Sequence, residues 1–167
     1  EVDVDKERNR VLPIIEAVRN AHPYVGISID TRRASVAKAA LDLGADMVND
    51  VSSLSDPDMV DVIIENKCPV CIMHMQGLPE NMQNNPTYSD VVMEVRQRLD
   101  ITARKLLDLG LEPEMILTDP GIGFGKLLEH NLSLLAAGRE IVPNQEMPLI
   151  WGVSRKRMFA DLLGRTD

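Results

Sequence analysis

Thr118-Asp119-Pro120-Gly121-Ile122-Gly123-Phe124-Gly125-Lys126 is the stretch from which the rest of the chain can be read. A short apolar segment, Met115 to Leu117, runs into a carboxylate, and a Pro-Gly turn with alternating glycines follows at once. That order describes a strand end opening onto a ligand, with Asp119 presented at the edge of a sheet. The glycines have no evident structural purpose, so they read as points where backbone approaches whatever Asp119 holds. Two phosphate loops are excluded by spacing. A P-loop needs glycine five residues before the Gly-Lys pair and Ser or Thr after it, where Pro120 and Leu127 stand. A dinucleotide fingerprint built on Gly121 and Gly123 needs a third glycine at position 126, which is lysine.

Working outward, the chain repeats one rhythm of strand then helix, and no composition break marks a linker. Residues 5–20 are expected to be helical, since Val11, Ile14, Ile15 and Val18 recur at three and four. Tyr24 to Ile29 reads as a strand ending at Asp30-Thr31, and Ala34 to Leu43 as a small-residue helix stopped by Gly44. Asp46 to Val48 is a second strand ending at Asn49-Asp50, and Asp56-Pro57 then looks like a helix start. Val70 to Met73 is a third strand, ending at His74. A polar loop through Gly77, Pro79 and Pro86 leads to the longest helix, about 89–109, with Gly110 after it. Met115 to Leu117 is the fourth strand, 127–141 a helix, and Leu149 to Val153 the fifth strand before Ser154-Arg155-Lys156.

About five consecutive strand–helix units imply a parallel sheet covered by helices, in an α/β fold. A doubly wound sheet and part of a (β/α)8 TIM barrel both fit. The barrel is preferred because nearly every strand end carries a polar group: Asp30, Asn49, His74, Asp119, Ser154 and Lys156. A barrel gathers all its C-terminal loops around one site, whereas an open sheet gathers ligands at one switch point. Residues 1–167 thus read as a single barrel domain, incomplete in these residues.

Composition bounds the partners. The 167 residues suffice for one core, and 44% hydrophobic with 26% charged content is ordinary for a globular protein. Aromatics make up only 3%, so the core must be aliphatic, helped by nine methionines. A net charge of −8 disfavours nucleic acid and anionic membrane as partners. No apolar run approaches the ~20 residues of a membrane span, and no signal peptide opens the chain. Glu1 in place of an initiator Met, and Leu163-Gly164-Arg165-Thr166-Asp167 at the other end, suggest cuts rather than natural termini. Cys68-Pro69-Val70-Cys71 matches C-x-x-C, but no second pair exists for zinc, and Cys71 falls inside a strand. The pair reads as reduced, structural thiols in a cytoplasmic protein.

The candidate site residues each have a plainer rival. Asp30 could cap the next helix, directly or through Thr31. Asn49 is the better ligand and Asp50 the better structural residue of an Asx-turn, but the two cannot be separated by sequence. Lys156 sits where a barrel usually holds an anion, while Arg155 and Arg157 are expected to face outward. His74 is read as a satisfied, semi-buried histidine and His130 as a surface or packing residue. Carboxylates, an amide and a lysine around one apolar slot suit a flat heterocycle rich in N–H donors, such as a 2-amino-4-oxo-pyrimidine ring. Phe124 could bound that slot and Met73 could form its floor. No nucleophile–base pair and no His/Cys/Glu metal cluster stands out.

At these residues the chain resembles the bacterial dihydropteroate synthase family. The matching blocks are Ser28-Ile29-Asp30-Thr31, Val48-Asn49-Asp50-Val51-Ser52 and Cys71-Ile72-Met73-His74-Met75-Gln76-Gly77, with Met82-Gln83, Pro86 and Tyr88. They continue with Asp119 through Lys126, Glu129-His130-Asn131, and Gly152-x-Ser154-Arg155-Lys156. Their order and spacing cover nearly the whole chain. The resemblance implies a transferase of folate biosynthesis that condenses 7,8-dihydropterin-6-ylmethyl diphosphate with p-aminobenzoate and releases diphosphate. It implies that Asp30, Asn49, Asp119 and Lys156 hold the pterin, with Val51, Met73, Phe124 and Gly152 lining the slot. Phe124 and Ser154 would border p-aminobenzoate, and Asp30 and Lys156 would be the catalytic groups.

The family's cofactor is magnesium, and its asparagine ligand segment has no counterpart in these residues, so no metal ligand is assigned here. The second strand's Gly-Glu-Ser-Thr-Arg-Pro loop and the Arg-x-His anion site are also missing. The isolated chain is therefore expected to lack turnover. The resemblance also makes the protein a sulfonamide target and leaves a homodimer open. The alternatives are a methyltransferase's pterin-binding domain and a non-catalytic pterin-binding module.

Overall fold

The computed structural model describes residues 2–77, 82 and 84–164. Pro79 of the polar loop, Gln83, Glu1 and Arg165-Thr166-Asp167 lie outside the described residues.

Among the described residues six helices and four strands follow one another: α1 (Val4–Ala21), β1 (Ser28–Asp30), α2 (Ala34–Asp42), β2 (Met47–Asp50), α3 (Met59–Asn66) and β3 (Val70–Met73). Then come α4 (Val91–Leu107), a 3-10 turn (Pro113–Met115), β4 (Ile116–Asp119), α5 (Leu128–Ala137), a second 3-10 turn (Gly138–Ile141) and α6 (Arg157–Leu163). The four strands are parallel and lie in the order β1-β2-β3-β4. Every crossover thus steps to the next strand in the same direction. A doubly wound sheet reverses that direction at its switch point; a barrel never does. The fold is the arc of a (β/α)8 barrel.

The two faces of the arc differ in kind. Ile29, Val48, Val70, Ile72 and Ile116 point to the helices and belong to one core with Val95, Leu99, Ala103 and Leu106 of α4. The opposite face carries Asp30, Asn49, Cys71, Met73 and Asp119, none of which joins that core. Parallel strands covered on one side by helices put their alternate residues into the barrel interior. In this chain that interior face is the polar one.

The longest helix among the described residues is α1, of 18 residues, rather than α4, of 17. Three further elements depart from the sequence reading, each for a local reason. β1 begins at Ser28 rather than Tyr24. The guanidinium of Arg19 takes the carbonyls of Pro23 (2.7 Å) and Val25 (2.9 Å), and Tyr24 is fully exposed. Those carbonyls are thereby unavailable to a neighbouring strand. Asp56 does not simply start α3. Its Oδ1 accepts from Asp58 N (3.1 Å) and its Oδ2 from Ala34 N (2.9 Å), so it caps the preceding α2 from a distance. The fifth strand is reduced to a bridge between Thr118 and Leu149, with Ile150 N donating to Thr118 O. Beyond it Val153 N donates to Trp151 O, a tight turn that ends the extended run.

Candidate active site

Register decides which strand-end side chains meet. Asp30 pairs with Asn49, Asn49 with Cys71, Cys71 with Leu117, and Met73 with Asp119. Because side chains alternate, Asp30, Asn49, Cys71, Met73 and Asp119 share the interior face at the C-terminal rim. Asp50, one residue past Asn49, must point the other way. It is fully buried and accepts from Ser52 N (2.7 Å), Ser52 Oγ (2.6 Å) and Leu54 N (2.9 Å). The Asn49–Asp50 ambiguity is thus resolved by pleat: the amide faces the interior and the acid holds a turn.

Asn49 Nδ2 donates to Asp30 Oδ2 at 3.3 Å, tying the first two groups together. Asp30 is not spent on capping α2, whose first amide is taken by Asp56. Thr31 instead bridges Arg33 N and Glu7, its hydroxyl donating to Glu7 Oε1 at 2.5 Å. Partial burial raises the Asp30 carboxyl above the usual carboxylate range, the Asn49 hydrogen bond opposes this, and nearby Asp50 adds to it. With Val51, Thr31 and Glu7 it lines a cavity of about 440 Å³ beside α1.

Asp119 occupies the far side of the same face. Burial raises its pKa; the Gly121 N–H, donating to Oδ1 at 2.7 Å, and the ammonium groups of Lys156 and Lys126 pull it back. Gly152 leaves room for it: a Cβ there would lie 3.3 Å from Asp119 Oδ2. Lys156 Nζ stands 3.9 Å from the centroid of the Phe124 ring, a cation–π contact. Asp119, Gly152, Phe124 and Lys156 therefore form one wall. Between that wall and Asp30 sits Cys71, only 1% exposed. Its thiol is pushed up to about 12, by burial first and then by the charges of Asp119, Asp30 and Asp50. Ser154 is exposed, as are Arg155 and Arg157.

The glycines of the quoted loop serve a purpose that the sequence did not reveal. Gly121 and Gly125 have φ of +68° and +60°. A Cβ on Gly121 would lie 1.9 Å from His74 O, and one on Gly125 2.4 Å from Gln76 O. They let the loop press on the chain leaving β3. Two of the loop's glycines also face site groups: a Cβ on Gly121 would lie 3.3 Å from the Met73 side chain, and one on Gly123 3.1 Å from that of Lys156.

Beneath that contact lies Lys126, 3% exposed. Its Nζ reaches His74 Nδ1 (3.0 Å), His74 O (3.2 Å), Gly121 O (3.0 Å) and Phe124 O (3.0 Å). His74 is the satisfied, buried histidine expected, held neutral with its pKa down to about 3 by burial and then by Lys126. His130 packs edge-on against Tyr88 at 4.9 Å and accepts from Leu127 N. Tyr88 in turn donates to Gly125 O at 2.7 Å, and Asn131 accepts from Gly123 N at 2.8 Å. Sequence reasoning gave Cys71, Lys126, Tyr88 and Asn131 no role in the site. Cys71 could have been found from its position two residues before Met73; the others become visible only in three dimensions.

Among the described residues no three His, Cys, Asp or Glu side chains gather as a metal site. No helix there is long and apolar enough to cross a membrane.

Comparison with known proteins gives a consistent result. The family described as pterin binding enzyme matches residues 1–167. A dihydropteroate synthase of Neisseria meningitidis serogroup C is 43% identical over 99% of this chain and 59% of its own length. A Yersinia pestis dihydropteroate synthase, solved with a sulfonamide drug, superposes with a TM-score of 0.92 at 38% identity, over 98% of this chain and 59% of that one. A Xanthomonas albilineans dihydropteroate synthase in complex with 7,8-dihydropteroate gives 0.88 at 35% identity, over 99% and 60%. The chain spans 59% of the Neisseria relative's length.

Proposed function

The chain belongs to the pterin-binding enzyme family, and from that premise we propose that it carries the pterin site of a dihydropteroate synthase. The observation that supports this best is the shared face of Asp30, Asn49 and Asp119, closed by Lys156 over Phe124. A carboxylate can accept two parallel hydrogen bonds from the amino and ring N–H of a 2-amino-4-oxo-pyrimidine. Asp119, backed by the Gly121 N–H, is the group for that edge, with Asp30 and Asn49 facing the remaining ring nitrogens. Met73 and Val51 line the slot, Gly152 leaves space beside Asp119, and Phe124 with Ser154 borders the second substrate.

In the reaction the bond from the pterin methylene carbon to the diphosphate oxygen breaks. The amine of p-aminobenzoate then forms the new C–N bond and loses one proton. Positive charge developing at the methylene carbon would be favoured by the Asp30 carboxylate. Lys156 would hold the pterin from the opposite side. Its own pKa is lowered, by burial, while Asp119 acts against that.

Magnesium belongs to this reading as a cofactor of the complete protein, but the residues described offer no cluster to fit it, and no step here passes through it. A cytoplasmic location, a homodimer and sensitivity to sulfonamides are parts of the same proposal; the sulfonamide bound by the Yersinia protein supports the last.

Calorimetry on the complete protein tests the assignment. Asp119→Ala should weaken binding of a pterin by roughly tenfold to a hundredfold, the range for a lost charged hydrogen-bond pair. Binding unchanged by that substitution would remove Asp119 from the site. A synthase should also bind p-aminobenzoate once pterin and diphosphate are present, whereas a pure pterin-binding module should not.

A further inference from the structure

We propose that Lys126 is a positioning residue for the pterin site, a clamp whose ammonium ties the 121–126 loop to the exit of β3 and so aims Asp119 and Phe124. This rests on the functional reading above. Four groups converge on Nζ at 3.0–3.2 Å: one ring nitrogen and one carbonyl of His74, and the carbonyls of Gly121 and Phe124. Every carbonyl among them is an acceptor, and His74 Nδ1 accepts from the ammonium in the tautomer that carries its proton on Nε2. A protonated ammonium has three N–H donors to distribute among them; a neutral amine has two, so it holds fewer of the three carbonyls.

The clamp acts on the site through two short paths. Gly121, whose carbonyl is held by Lys126, gives its own N–H to Asp119 Oδ1 at 2.7 Å. Phe124, held by its carbonyl, presents the ring under Lys156. The glycine contacts with His74 O and Gln76 O let the two segments lie close enough for one side chain to join them. The groups in electrostatic reach of Nζ are His74 at the end of β3, Asp119 on β4 and Lys156 ahead of α6; Tyr88 packs on His74 at 6.0 Å. Burial is the main influence, drawing the Lys126 pKa down to about 7; Asp119 opposes it and Lys156 reinforces it. Loss of its proton near neutrality should therefore loosen the loop.

The test measures pterin affinity of the complete protein from pH 6 to 8 by calorimetry, for the natural chain, Lys126→Met and Lys126→Gln. Circular dichroism and melting temperature report whether each variant is folded. The expected result is a folded variant that binds pterin about tenfold or more weakly at pH 6, the size of a lost charged hydrogen bond. Its affinity should also lack the decline that the natural chain shows as pH rises through 7. A folded variant with natural affinity and an unchanged pH profile overturns the clamp while leaving the pterin site standing. Unfolding of both variants also overturns it, since Lys126 would then serve stability alone. A natural chain that binds no pterin overturns the functional reading, and this proposal with it.

Discussion

Gly121 and Gly164 show at the scale of one residue why position outranks residue type. Both have positive φ, +68° and +63°. A Cβ on Gly121 would collide with His74 O, while one on Gly164, which caps α6 in the left-handed conformation, meets nothing within 4 Å. Gly164→Ala should therefore cost about 1 kcal/mol, the strain of the left-handed backbone alone. Gly121→Ala adds a clash with backbone that cannot step aside, and should cost about 3 kcal/mol or more. Chemical denaturation of the two variants measures the difference; equal losses would show that the loop can move off β3. His74 supplies a pH dependence whose sign follows from its burial. Its pKa is about 3 in the folded chain against 6.5 ordinarily. Between those values the unfolded chain holds a proton that the native one lacks, so stability rises with pH across that window and falls as pH drops below about 6.5. His74→Gln should flatten this slope in acid denaturation curves, and an unchanged slope would mean that His74 is not neutral when folded.

At the scale of elements, side chains reaching across the fold reset boundaries that local signals had placed elsewhere. Asp56 followed by proline carries the local signature of a helix start, yet one of its oxygens caps α2, 22 residues earlier in sequence. Asp56→Ala should cost about 1 kcal/mol, as lost caps do. The loss should appear as faster amide exchange at Ala34, outside the helix that Asp56 precedes; exchange unchanged there would remove the capping role. Arg19 has a similar reach: by taking the carbonyls of Pro23 and Val25 it shortens β1 to three residues. Neither effect has a periodicity that a sequence could display. The helices, by contrast, were legible to within a few residues, because α1 and α4 repeat apolar positions at three and four and α2 and α4 are each followed by a glycine of positive φ, Gly44 and Gly110.

At the scale of the molecule, the one-way strand order leaves one sheet face for the helices and one for chemistry. In the proposed reading the interior face supplies the pterin ligands, and the chain spans 59% of the Neisseria relative's length. The isolated chain is expected to bind a pterin but to show negligible synthase turnover. A coupled assay for diphosphate release checks this, and measurable turnover by the 167-residue chain would refute it.

The strand–helix alternation, the polar strand ends and the blocks around Asp30, Asn49, Asp119 and Lys156 were all written in the linear chain, because each depends on near neighbours or on period. The choice between Asn49 and Asp50 needed the register, since the pleat alone sends one inward and the other into a turn. The purpose of Gly121 and Gly125 and the burial of Lys126 needed the tertiary structure. These features arise where segments some fifty residues apart press together, as His74 and Lys126 do, and a contact of that kind leaves no trace in local spacing.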